Sequence, residues 1–262
     1  MLLLLGGAMA AHACGPDTDC VVGQRGYRIR LPDGASGTGG IGAILFAHGH
    51  GGTAAEIMAD DELGRAAAAL GVALIALQAS PPGWALPGSP SVPTERRVDE
   101  LAYVDGVVAD AARRFAIMPQ RIMVSGMSAG AMLVWNLACE RGQYFAGFAP
   151  IAGTFWAPLP ADCPSLPAIL LHVHGTADHV VPLEGRAIRQ SRQGSVFSAI
   201  ALFARLGGHG PARQVRMDAL NCALQRNAAG AELALCLHEG GHDYRVRDIV
   251  TAWRAIASRP DF

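Results

Sequence analysis

Apolar residues along this chain follow two rhythms. Residues 41–47 (IGAILFA) and 72–77 (VALIAL) are short unbroken apolar runs, which suit strands buried on both faces. Between them, 53–70 is Ala-rich and predicts a helix. Residues 94–115 follow a Pro-rich loop and place Val98, Leu101, Tyr103, Val108, Ala112 and Phe115 at mostly helical spacing. Further along, strands are predicted at 121–125, near 145–151, at 167–173 and at 232–237. Helices are predicted at 129–139, in part of 181–206, and at 244–257. Alternation of this kind implies an α/β fold: a mostly parallel central sheet with helices on both faces. No internal repeat or Ser/Thr-rich linker divides the chain, so one domain is expected.

In open parallel sheets reactive groups collect in the loops beyond the carboxyl ends of the strands. Gly126-Met127-Ser128-Ala129-Gly130 sits between a predicted strand (RIMVS) and a predicted apolar helix. That is the context in which G-x-S-x-G forces a serine onto a tight strand-to-helix turn, with small residues allowing helix and strand to approach. A serine needs a base, and the base needs an orienting acid. His174-Gly175-Thr176-Ala177-Asp178 follows the strand PAILLHV, and Gly240-Gly241-His242 follows ELALCL. The chain order Ser128, Asp178, His242 matches that of nucleophile-elbow enzymes, each residue just past a strand.

Rivals are weaker. Asp162 adjoins Cys163 in a Pro-rich loop, Asp243 reads as a helix cap, and Glu184 falls inside a predicted helix. His238, at a strand end, is the second choice for the base. His172 and His174 bracket a buried strand and read as structural, while His179 could line the site without reacting. His48-Gly49-His50-Gly51-Gly52 follows the strand AILFA. Acyl transfer develops a negative oxygen that needs preorganised N–H donors. Ala129 would supply one, and His50 or Gly51 the other from this HGGG-type loop. Zinc held by His48 and His50 is the less favoured reading, and no metal is expected. Trp84 in PPGWALPG, and Phe155-Trp156 after another strand, border the same edge. Those rings would either clamp a substrate or pack loop against core.

Composition narrows the classes. The 262 residues carry 21 basic and 22 acidic side chains, every basic one an Arg, for a net charge of −1. Without a cationic surplus a nucleic-acid partner is not expected. A chain 51% hydrophobic and 16% charged is not a disordered one. Residues 1–13 (MLLLLGGAMAAHA) end in a small-x-small pattern before Cys14 and read as the tail of a signal peptide, with its basic start missing. Ala11 stands where a lipoprotein box usually has Leu. No other stretch is apolar for the ~20 residues that span a bilayer. The mature domain is then 14–262, secreted or periplasmic. Cys14, Cys20, Cys139, Cys163, Cys222 and Cys236 are even in number, lack a CxxC pair, and suit disulfides paired by proximity: 14–20, 139–163 and 222–236.

With these residues in view, the chain resembles the bacterial polyhydroxybutyrate depolymerase and feruloyl esterase group of α/β-hydrolases. The likeness covers about Cys20 to Trp253 through YRIRLP, HGHGG, RIMVSGMSAGAM, YFAGFAPIAG, HGTADHVVP and GGHDY. The elbow commonly carries Asn-Gly-Gly after its serine, where this chain has Ala129-Gly130-Ala131. The histidine motif commonly ends in Trp-Pro, where this chain has Asp243-Tyr244. The resemblance implies an α/β-hydrolase fold and a secreted serine esterase, with Ser128 as nucleophile, Asp178 as acid and His242 as base, and no cofactor. It leaves polyhydroxyalkanoate, feruloyl and small esters open as substrates. A peptidase or acyltransferase on the same triad is the alternative, and a nonenzymatic binding protein a further one.

Overall fold

The fold comes from a computed structural model that describes residues 14–34, 40–90, 99–259 and 262, so the leader expected at 1–13 lies outside the described residues. The chain opens with a hairpin of β1 (Cys20–Val22) and β2 (Arg25–Arg30), followed by β3 (Ile41–Ala47). Helices α1 (Ala54–Ala59) and α2 (Asp61–Ala69) lead to β4 (Ala73–Leu77) and α3 (Glu100–Phe115). Then come β5 (Ile117–Met127), α4 (Ala129–Arg141), β6 (Gly147–Ile151) and β7 (Leu170–Gly175). A small hairpin, β8 (Ala187–Ile188) and β9 (Ser191–Arg192), precedes α5 (Val196–Leu206). The chain closes with β10 (Arg213–Met217), β11 (Leu220–Arg226), β12 (Glu232–His238) and α6 (Val246–Ala257).

Ten strands form one sheet in the order β1-β2-β4-β3-β5-β6-β7-β12-β11-β10. The six central strands, β4 to β12 in that order, run parallel. Antiparallel pairs flank them at both ends. Alternate residues of β3 divide between two cores. Ala43, Leu45 and Ala47 face α3, α4 and α5, whereas Ile44 and Phe46 face α1, α2 and α6. Helices therefore cover both faces, and every residue of β4, β6 and β7 is buried.

Several expectations change in detail. The single helix expected over 53–70 is two, because Asp60 ends α1 and caps α2 by accepting from the Leu63 N–H at 3.0 Å. Only 196–206 of the 181–206 stretch is helical, and Glu184 precedes the hairpin, accepting from Ser195 Oγ at 3.3 Å. Arg245, not Asp243, is the N-cap residue of α6. Residues 94–98 lie outside the described residues. The three disulfides close as proximity suggested: Cys14–Cys20, Cys139–Cys163 and Cys222–Cys236. The last joins direct cross-strand neighbours of β11 and β12.

Candidate active site

Ser128 occupies the junction of β5 and α4 with φ 59° and ψ −120°. This is a conformation that side chains rarely adopt, and it is held by close packing around it. A Cβ added to Gly130 would lie 2.0 Å from the Ala47 carbonyl oxygen, and one on Gly126 would lie 2.8 Å from the same atom. Only glycine at these two places lets the start of α4 press against the end of β3. The Ser128 N–H donates to the Ile151 carbonyl at 2.9 Å, and its hydroxyl makes no capping bond to α4. The Oγ is thus left outside the sheet at the N-terminus of a thirteen-residue helix.

Asp178 follows β7, the strand two places along the sheet from β5. His242 follows β12, next beside β7. The parallel arrangement puts all three residues beyond the same edge of the sheet. His242 Nδ1 donates to Asp178 Oδ2 at 2.7 Å. A carboxylate only accepts, so the proton sits on Nδ1 and Nε2 is left as the acceptor. Among the described residues, no hydrogen bond joins the Ser128 hydroxyl to His242. The structure therefore brings the acid and the base into contact and leaves the serine on the same edge without that bond.

Asp178 has more partners than His242. Its Oδ1 accepts from the Val180 and Val181 N–H groups at 2.8 Å each. His174 Nε2 lies 3.3 Å from Oδ2 and 2.8 Å from the Val181 carbonyl. Burial alone would raise the Asp178 carboxyl. Hydrogen bonds from His174, His242 and the Val181 N–H outweigh burial and hold it well below the usual carboxylate range.

Behind it runs a directional wire. Trp135 Nε1–H, which can only donate, reaches His172 Nδ1 at 3.2 Å. His172 then carries its proton on Nε2 and donates to His174 Nδ1 at 2.9 Å. His174 in turn donates from Nε2 toward Val181 and Asp178. Burial pushes His172 well below the usual imidazole range, which keeps it neutral for this role. Both histidines are fully buried, as their structural reading held, but His174 also touches the candidate acid. Sequence reasoning missed that contact. The i, i+2 spacing puts the His172 and His174 rings on one face of a strand, with centroids 5.1 Å apart, but carries no signal of the approach to Asp178.

The rivals stand elsewhere. His238 is buried with neither ring nitrogen partnered, and burial lowers its pKa. His179 is exposed, and Asp162 pairs with the Cys163 N–H. His48 is buried and spoken for: its Nε2 accepts from the Ala79 N–H at 3.1 Å and its Nδ1 bonds the Gly49 carbonyl. Among the described residues no group of three or more His, Cys, Asp or Glu could hold a metal ion.

The HGHGG loop lies against the serine, since a Cβ on Gly49 would sit 3.5 Å from Ser128 Cβ. Gly51 cannot complete an oxyanion site here, because its N–H already donates to the Pro82 carbonyl at 3.0 Å. The N–H groups of His50 and Ala129 have no protein acceptor among the described residues, which leaves these two for a developing charge.

A cleft of about 430 Å³ opens beside Ser128 and Ala129. Trp84, Leu86, Met132 and Trp156 supply apolar lining, and His50, Arg186, Arg189 and Gln193 supply polar groups. Trp84 is held in place by its Nε1–H, which donates to the His48 carbonyl at 2.9 Å. Phe155 does not join the proposed clamp. Its ring turns the other way and packs against Trp135 and Phe203 in the core. Sequence reasoning also missed the polar wall, because its arginines stand in a segment read as partly helical.

No protein-family model matches the chain. It is 35% identical over 165 residues to the provisionally assigned esterase NocK of Nocardia uniformis subsp. tsuyamanensis, a match covering 62% of this chain and 47% of that protein. The chain thus spans about half the length of that relative. Among solved structures it is similar to an acetyl xylan esterase from Aspergillus awamori, with TM-score 0.62, 11% identity, and 93% and 96% of the two chains covered. It is also similar to a phospholipase/carboxylesterase from Dyadobacter fermentans, with TM-score 0.55, 16% identity, and 92% and 100% covered. An S-formylglutathione hydrolase from Agrobacterium tumefaciens gives TM-score 0.53 at 15% identity, with 89% and 87% covered. The chain has the α/β-hydrolase fold.

Proposed function

We propose that residues 14–262 form the catalytic domain of an exported serine esterase that hydrolyses carboxylic esters through Ser128, His242 and Asp178. The observation that carries this reading is the 2.7 Å His242–Asp178 bond on the edge where the strained Ser128 turn emerges. The esterase names borne by the similar proteins support it, as do three disulfides for the exported location.

In this reading His242 Nε2 takes the Ser128 proton as Oγ attacks the ester carbonyl. The carbonyl oxygen becomes an oxyanion held by the N–H groups of Ala129 and His50, each such donor contributing about 2.7–4 kcal/mol. The imidazolium formed is stabilised by Asp178 and gives its proton to the leaving alcohol. Water then attacks the acyl-enzyme, its proton passing to His242 and on to Ser128 as the acid departs. Catalytic hydrogen bonds are often long before substrate binds, so the Ser128–His242 bond is expected to form in the complex. No cofactor takes part in these steps.

The resemblance to polyhydroxybutyrate depolymerases and feruloyl esterases narrows the substrates to polyhydroxyalkanoate oligomers, feruloyl esters or small esters. A panel of p-nitrophenyl esters of graded chain length, methyl ferulate and polyhydroxybutyrate film tests this reading. Ser128→Ala should fold normally and lose turnover by roughly 10⁴-fold or more. Retention of wild-type rates by that variant would overturn the assignment. Cleavage of peptide amides but not esters would favour the peptidase alternative.

A further inference from the structure

We infer that the cleft beside Ser128 recognises esters bearing a carboxylate a few bonds from the scissile carbonyl, through Arg186, Arg189 and Gln193. This rests on the esterase reading and names a substrate class for the same site. All three residues line the cleft, and no carboxylate does so among its described lining residues. Among the described residues neither guanidinium makes an ion pair. Arg186, among the described residues, uses only Nε, which donates to the Val180 carbonyl at 2.7 Å, leaving both terminal nitrogens for a ligand. Glu184, the nearest acid in sequence, is occupied by Ser195 and is not part of the lining.

Gln193 adds a neutral group to this wall. It is 5% exposed, and its buried side-chain oxygen has no hydrogen-bond partner among the described residues. An orphaned buried acceptor costs about 1–3 kcal/mol unless a donor satisfies it. That oxygen only accepts, so a carboxylate leaves it as it is; the side-chain N–H₂ is the part of Gln193 that can donate to a ligand carboxylate beside the two arginines.

The wall carrying these groups is fixed before a ligand arrives. Gln193 N–H donates to the Arg186 carbonyl at 2.9 Å, Ala157 N–H to Arg192 at 2.7 Å, and Gly194 N–H to Phe155 at 2.8 Å. Gly185, at φ 68°, lets the Gln193 backbone approach so closely that an added Cβ would lie 2.1 Å from its carbonyl oxygen. Arg189, at φ 54°, forms the turn of the hairpin. A carboxylate meeting two guanidiniums and an amide on this hydrogen-bonded backbone gains charge-assisted bonds.

Two matched pairs of esters test this: mono-p-nitrophenyl glutarate against its methyl ester, and 4-acetoxybenzoate against methyl 4-acetoxybenzoate. In at least one pair the acid should show about tenfold higher kcat/KM than the neutral ester, as expected for one charge-assisted bond. That ratio should fall toward one in about 1 M salt and in the double variant R186Q/R189Q. Equal rates within both pairs, or a ratio that survives in the double variant, would overturn the inference. Binding to Ser128→Ala reads the same cleft without turnover. Calorimetry should show monomethyl glutarate binding more tightly than dimethyl glutarate, and equal or no binding of both would overturn it. Hydrolysis of neutral esters with no carboxylate preference would sink this inference alone. Carboxylate binding without any hydrolysis would sink the esterase reading alone.

Discussion

Ser128 takes up its unusual backbone angles because two glycines, at 126 and 130, allow the close approach that defines the turn. Those glycines made the serine legible in the sequence, since their spacing has a mechanical meaning. His174 was illegible by comparison. Its value lies in a 3.3 Å approach to Asp178 across the loop after β7, and no spacing rule encodes that approach. His174→Ala removes one support of the Asp178 carboxylate and orphans the His172 Nε2–H. With the acid less well aimed at His242, kcat should fall by roughly 10- to 100-fold while KM for a small ester stays near wild type. A purely structural histidine would lower the melting temperature and leave the kcat of the folded fraction unchanged. Asp178 also links the site to pH. Its carboxyl is depressed in the folded chain, so it stays ionised where the unfolded chain has already taken up a proton. The stability this confers is complete above the ordinary value of 3.8 and is lost as pH falls below it toward the folded value. Urea unfolding between about pH 5 and 2 should therefore show a shallower acid decline for Asp178→Asn than for wild type. Parallel curves would mean that the carboxylate is not held as described.

At the scale of elements, the unbroken apolar runs became central strands, and β3 occupies the residues its composition marked out. What the sequence concealed was the margin of the sheet. β10 (RQVRM) carries arginines and a glutamine because it faces solvent at an edge, and it reads as loop. β11 alternates buried residues with exposed or half-buried ones from Leu220 to Gln225, a period-two pattern masked by its polar members. The helix expected over 53–70 broke at Asp60, whose capping bond is a local preference stronger than the Ala-rich rhythm around it. Disulfides were legible by proximity, and one of them bears on the site. Cys139–Cys163 ties the C-terminal part of α4, whose first turn follows Ser128, to the loop beyond Trp156, closing 24 residues of chain. Replacing both cysteines with Ala should lower stability by about 3–4 kcal/mol, read from urea unfolding as a lower midpoint. An unmoved midpoint would show that packing alone holds α4 in place.

For the molecule as a whole, a single sheet order decides which residues meet. β5, β6, β7 and β12 lie side by side and parallel, so loops far apart in the chain open at one edge. Parallel alternation was readable from the sequence, and with it the placing of Ser128, Asp178 and His242. The cleft wall was not, because β8 and β9 are two residues each and owe their place to backbone bonds with the segment after Phe155. Among the described residues no helix is long and apolar enough to cross a membrane. The central claim is that Ser128 is the nucleophile activated by His242. Treating the protein with a fluorophosphonate and mapping the adduct by peptide mass tests it most directly. The account expects one phosphonyl group on Ser128, loss of ester hydrolysis in step with labelling, and no labelling at that position after His242→Ala. Label settling on another residue while hydrolysis is lost, or hydrolysis persisting in fully labelled protein, would contradict it.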